Sequence, residues 1–131
     1  MARTTIDDAA GLAAADVIHK RFTALPDSAT IGDVRKWFAA SSHRRVAFLA
    51  EDGHYVGSLT PADLAGDLDA GSRASEVARR GATIAPDAPA SAAHELALSS
   101  DTRRVPVVDR HGRLVGVVGV TDDLAAFCGS A

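Results

Sequence analysis

The side chains of this 131-residue chain best suited to chemistry are groups that bind rather than groups that make or break bonds. Arg44-Arg45 and Arg103-Arg104 occupy matching places, and an aspartate, Asp63 or Asp122, follows the second arginine of each doublet by 18 residues. Guanidinium groups present a fixed fork of donors to anions, and carboxylates accept hydroxyl and amide protons. Thr60 stands three residues before Asp63 and can share the capping of a helix start with it, whereas Gly119 holds the corresponding place before Asp122. Catalysis has no comparable support. No serine or cysteine stands in a nucleophile elbow, and the adjacent Asp122-Asp123 would point to different sides of a helix start. The five histidines, at 19, 43, 54, 94 and 111, lack the spacing of a metal site. Neither catalytic residues nor metal ligands are therefore expected, and an enzyme is not.

The matching places belong to a duplication. Arg44-Arg45-Val46, Gly53, Val56-Gly57 and Asp63 fall on Arg103-Arg104-Val105, Gly112, Val115-Gly116 and Asp122 with a constant shift of 59. Upstream the shift is 60, with Val17, Thr23, Pro26 and Asp27 meeting Val77, Thr83, Pro86 and Asp87, so one residue is lost in a connecting loop.

The elements that would position these groups recur with them. Ala13–Lys20 and Ser75–Arg80 have helical character, the second closed by Gly81 as a C-cap. Short extended pieces at Phe22–Leu25 and Thr83–Ala85 run into Pro-Asp turns. Ile31, Val34, Trp37 and Phe38 share one face of a helix starting near Ser28 or Thr30, echoed by Ala93, Leu96 and Ala97 after Ser91. Val46–Leu49 with Tyr55–Leu59, and Val105–Val108 with Leu114–Val118, read as antiparallel hairpins turning at Asp52-Gly53 and His111-Gly112. A helix is expected after each hairpin, capped in the first copy by Thr60 and Pro61, with Leu64 and Leu68 on one face there and Leu124, Phe127 and Cys128 in the second copy. The unit is β-α-β-β-α, twice, in a mixed α/β (α+β) fold. Residues 1–12 are expected to be flexible, 13–70 to form the first repeat and 71–131 the second.

Bulk properties agree with a single small globular unit or two half-units sharing a core, which at this length hides roughly two-thirds of the unfolded surface. The net charge of −3 gives no general attraction to nucleic acid or to an anionic membrane. The single cysteine, Cys128, cannot form an intrachain disulfide, no apolar run approaches the ~20 residues of a membrane span, and the amino-terminal stretch carries Asp7-Asp8 instead of a signal core. A cytoplasmic location is expected, with neither membrane nor nucleic acid as partner.

The doubled β-α-β-β-α pattern, the R-V-P-V-V-D-x-x-G-x-L-V-G run at Arg104–Gly116 and the G-x-x-T-x-x-D run at Gly57–Asp63 together resemble a pair of cystathionine-β-synthase (CBS) domains, over about Ala13 to Gly129. The resemblance implies a Bateman module, two repeats packed about a pseudo-twofold axis with two clefts for adenosine-containing ligands, and regulatory work. On that pattern Asp63 and Asp122 are candidates for the ribose hydroxyls, and Arg45 and Arg104, with Arg44 and Arg103 beside them, for phosphate. Thr60 matches the family's hydroxyl. Gly119 leaves the second cleft short of it unless Thr121 substitutes. AMP, ADP, ATP and S-adenosylmethionine are all compatible as regulatory ligands, and no cofactor is required. A homodimer hiding Leu64, Leu68, Leu124 and Phe127 is expected, together with an effector protein that the sequence does not name.

Plainer readings of the same residues stay open. Thr60-Pro61-Ala62-Asp63 is also a self-sufficient capping box, an aspartate suits any first helical turn, and arginine doublets can guard a sheet edge against aggregation. The function is then either ligand sensing or, as the alternative, an interaction or dimerisation module with vestigial clefts.

Overall fold

In chain order the elements are β1 (Thr4–Thr5), a 3-10 turn (Ala14–Val17), β2 (Ala24–Pro26), α1 (Ile31–Ala39), β3 (Ala47–Glu51), β4 (His54–Leu59), two more 3-10 turns (Pro61–Leu64 and Ala74–Glu76), α2 (Ala90–Leu98), β5 (Arg104–Val108), β6 (Leu114–Gly119) and β7 (Ala126–Phe127). They are seen in a computed structural model that describes residues 4–5, 9–19, 22, 24–42, 44–100, 102–121 and 126–127. The chain divides into two compact units, residues 23–81 and residues 1–22 together with 82–131.

In the unit 23–81, β2 lies parallel to β3 with Ala24 opposite Phe48, and β3 pairs antiparallel with β4. Asp52 and Gly53, at φ 50° and 81°, make the two-residue turn between them. Positive φ at both central positions is the geometry whose twist suits a hairpin, and the Asp-Gly dipeptide adopts it cheaply. Helix α1 joins the parallel strands. Thr30 caps it by accepting from Asp33 N–H at 3.1 Å, and the Asp33 carboxylate accepts from Thr30 N–H at 3.0 Å. The helix buries Ile31 and Val34 against Ala47, Leu49, Leu59, Leu64 and Ala74.

The second unit repeats this plan in reduced form. β5 and β6 form its hairpin, and the third strand shrinks to one parallel bridge between Ile84 and Val107, the counterpart of Ala24 opposite Phe48. Both hairpins carry a bulge at the same place, leaving Val56 and Val115 as the extra residues. The alanine-rich α2 presents Ala90, Ala93 and Ala97 to Val105, Val107, Val118 and Phe127, together with Ala14 and Val17.

Each lead-in segment packs in the unit of the other repeat. Ala13 bridges Pro89 as Arg73 bridges Thr30, and His19 bridges Val117 as Arg79 bridges Ser58. Under the shifts of 59 and 60 these are equivalent pairs. The signature glycines serve this exchange: a Cβ on Gly57 would stand 3.2 Å from Ala78 Cβ and Arg79 O, and one on Gly116 would stand 2.9 Å from Ile18 Cγ2.

Several expectations change. The lead-in helices are single 3-10 turns, Ala14–Val17 and Ala74–Glu76, because their backbones turn outward to donate and accept across the other repeat's hairpin. Gly81 has φ +60° but lies four residues beyond the C-cap, Val77, so it caps nothing. The helix after the first hairpin stops at Leu64: Ala65 is extended, Gly66 follows at φ +94°, and Arg35 Nη2 takes the Leu64 carbonyl at 2.8 Å. Phe127 lies on β7, paired with β1 through Thr4, and not on a helix. Leu64 and Phe127, expected on an exposed face, are 5% and 1% exposed. Leu124 and Cys128 lie outside the described residues.

Candidate functional site

The Thr60–Asp63 turn sits where β4 ends. Asp63 Oδ2 accepts from Thr60 N–H at 2.8 Å and from the Thr60 hydroxyl at 3.1 Å, and that hydroxyl accepts in turn from Asp63 N–H at 3.4 Å. Oδ2 is therefore engaged by one residue. The other oxygen, Oδ1, faces Arg79 Nη2 at 3.4 Å, with the aspartate side chain 16% exposed and the arginine side chain 80% exposed. The turn is held from behind by Arg35, whose Nη2 donates to Leu64 O.

The same box at Thr30–Asp33 provides an internal comparison. There the backbone N–H of Thr30 and its hydroxyl hold the Asp33 carboxyl below its usual range, and the group stands in solvent. A box alone is thus capping. What distinguishes Asp63 is a mostly buried carboxylate with one oxygen directed at a cation from another segment.

Arg79 gave no signal through any local motif. It lies sixteen positions after Asp63, and only the exchanged topology brings it back. The observable hint was its alignment with His19 at the shift of 60, a basic or titratable residue at the end of each lead-in. Its backbone is fixed to β4, with Ser58 N–H donating to Arg79 O at 2.8 Å and Arg79 N–H to Ser58 O at 2.9 Å. Arg80 beside it reaches back over the Tyr55 ring at 5.3 Å and donates to Tyr55 O at 2.9 Å, while the Tyr55 hydroxyl donates to Arg80 O at 3.0 Å. Burial pushes the Tyr55 pKa up, so that hydroxyl keeps its proton.

The arginine doublets divide their labour. Arg44 donates to Trp37 O and lies over the Trp37 ring at 4.4 Å, which ties it to the end of α1. Arg103, at φ +58°, donates to Leu98 O and to Ser100 O at 3.2 Å and closes α2 in the same way. Arg45 is exposed beside β3. Arg104 stands opposite Gly119 in the β5–β6 register and folds over it, so that a Cβ there would meet its Cδ and Nε at 3.1 Å. Its Nη1 donates to Arg103 O and Val120 O at 3.2 and 3.4 Å. In the first copy the corresponding position holds the Thr60 side chain.

Asp122 lies outside the described residues. Thr121 N–H donates to Ala126 O at 2.9 Å and its hydroxyl to the same oxygen at 3.2 Å, which places that hydroxyl in the closure of its own loop. Among the described residues no group of three or more His, Cys, Asp or Glu could hold a metal ion, and no helix is long and apolar enough to cross a membrane.

The family model for the CBS domain matches residues 74–122. No curated protein matches the chain by sequence. Among solved structures the fold is shared with the CBS-pair protein CBSX2 from Arabidopsis thaliana, at 18% identity over 82% of this chain and 87% of that one, with a TM-score of 0.70. A CBS domain protein from Pyrobaculum aerophilum complexed with AMP is 25% identical over 82% of this chain and 87% of its own, with a TM-score of 0.68. The cytosolic domain of the Mg2+ channel MgtE in complex with ATP is 25% identical over 79% of this chain and 44% of its own, with a TM-score of 0.63. The second repeat thus matches the CBS domain model over residues 74–122, and the chain shares its fold with solved pairs of CBS domains.

Proposed function

We propose that the chain is a regulatory module that senses an adenine nucleotide and passes the result to a partner protein, without catalysis of its own. The observation that carries this is Asp63: a largely buried carboxylate keeps one oxygen off its own capping box and directs it at Arg79. A hydroxyl-rich sugar beside a phosphate suits such a pair, since carboxylate accepts from hydroxyls and guanidinium binds phosphate bidentately. Structures of the same fold in complex with AMP and with ATP support the choice of ligand class. Thr60 orients Asp63, and Arg45 is the further phosphate candidate in this copy.

Melting of the purified protein with AMP, ADP, ATP and S-adenosylmethionine tests the reading. A compound that binds is expected, at ~100 times its dissociation constant, to add about 2.7 kcal/mol to the folded state. Unchanged melting with every one of them would leave the module as an interaction or dimerisation device.

That second reading has its own support in the other copy, where Gly119 replaces the threonine and Arg104 lies across it. Asp63→Ala is therefore expected to remove most nucleotide binding in calorimetric titration and Asp122→Ala to remove less. Equal losses would overturn the ranking. We also propose a cytoplasmic homodimer. Its support shifts from the buried Leu64 and Phe127 to the exposed apolar residues Phe22, Leu98 and Val115. A monomer in sedimentation at micromolar concentration would overturn it.

A further inference from the structure

We infer that Arg79 makes the Asp63 site selective for phosphorylated ligands, by covering the carboxylate until a phosphate takes the guanidinium away. The inference rests on the ligand reading above and goes beyond it, to how the site would refuse a bare nucleoside.

Asp63 has one oxygen to offer, because Oδ2 already accepts two bonds from Thr60. The remaining Oδ1 is faced by Arg79 Nη2 at 3.4 Å. A sugar hydroxyl donating to Asp63 must therefore share or displace this arginine. A nucleoside gives the displaced cation nothing in exchange. A nucleotide supplies a phosphate, for which guanidinium has a better geometric match than for a carboxylate held at one corner.

The anchoring of Arg79 suits such an exchange. Its backbone is fixed by two hydrogen bonds to Ser58, and the following residue is locked on Tyr55 through Arg80 Nη1 at 2.9 Å and the Tyr55 hydroxyl at 3.0 Å. Its side chain, 80% exposed, makes one polar contact among the described residues, longer than a strong charged hydrogen bond. With the guanidinium itself this exposed, solvent screens the pair, so the guanidinium is readily traded while its root stays in place.

The test is calorimetric titration of AMP and of adenosine into the full chain and its R79A and R79K variants, each checked for unchanged secondary structure by circular dichroism. The wild type is expected to bind AMP more tightly than adenosine. R79A is expected to weaken AMP by about tenfold or more, the value of a charge-assisted hydrogen bond, with adenosine unchanged or tighter because its competitor is gone. R79K keeps the charge without the fork and should fall between the two. Parallel weakening of AMP and adenosine in R79A would mean that Arg79 only supports the fold. AMP binding unchanged in R79A, or equal affinities in the wild type, would equally overturn the inference while leaving the ligand reading in place. Failure of the wild type to bind either compound would overturn that reading itself.

Discussion

A Cβ placed on Gly116 would come within 2.9 to 3.0 Å of three Ile18 side-chain atoms, closer than packed carbon atoms tolerate. Gly116→Ala is expected to destabilise the fold by about 1–3 kcal/mol, with part of that loss recovered when Ile18 is also cut to alanine, which removes the Cγ2 and Cδ1 contacts and keeps the Cβ one. Denaturant melts of the two single variants and the double variant measure the coupling; additive losses would contradict the contact. Gly119→Thr should likewise fail to reproduce the first copy, since its side chain would meet Arg104 at 3.1 Å. It is expected to lower the melting temperature, and Arg104→Ala in the same chain to restore it. Among the described residues, two exposed carboxylates are held below their ordinary pKa. The Thr30 backbone bond lowers the Asp33 pKa, and the Arg113 backbone bond lowers that of Asp109, whose Oδ1 accepts from Arg113 and His111 N–H at 2.9 and 2.8 Å. Folded values below the unfolded ones mean that this stability is present above the ordinary carboxylate pKa of about 4, and is lost as pH falls from there through the lowered folded values. Urea midpoints compared at neutral and strongly acidic pH should therefore converge in Asp33→Ala relative to the wild type. At this scale the Thr60–Asp63 box was legible, because capping is a three-residue relation. The covering of Asp63 by Arg79 was not, because it is a contact between segments whose meeting no local pattern encodes. The doublets show both cases: their charges were visible, but not that Arg44 and Arg103 would turn to the carbonyls ending the helices before them.

Among the elements, the hairpins and the two core helices could be read because each has a short-range cause. Asp52-Gly53 dictates its turn, Thr30 its cap, and Ile31 and Val34 their buried face. The one-turn helices were overread, since apolar residues three and four apart do not reveal Gly66 at φ +94° or an arginine waiting for the Leu64 carbonyl. α1 also owes part of its end to Arg44, which combines the Trp37 carbonyl with a cation–π contact at 4.4 Å. Arg44→Ala should cost about 1–2 kcal/mol and expose the indole. Trp37 is the only tryptophan, so its fluorescence maximum reports the change directly; an unshifted spectrum with unaltered stability would show the contact to be idle.

For the molecule as a whole, the exchanged lead-ins could not be foreseen from a repeat that aligns almost without gaps. The alignment says which residues correspond, and is silent on whether a segment packs on its own copy or on the other. Ala14 and Val17 are fully buried in the unit built on the second repeat, beside Ala93, Ala97 and Val118. Deleting residues 1–19 should accordingly strip amide-exchange protection from β5 and β6 while β3 and β4 keep theirs, because Ala14 and Val17 belong to the core beneath β5 and β6. Loss in both hairpins, or in neither, would contradict the division. The same arrangement gives the two halves different histories during synthesis. Residues 23–81 are continuous and can close as soon as they leave the ribosome, whereas the other half holds its first strand in waiting until Ala126–Phe127 arrive to pair with it. The half that carries Asp63 and Arg79 is thus complete in sequence while the rest of the chain is still being made.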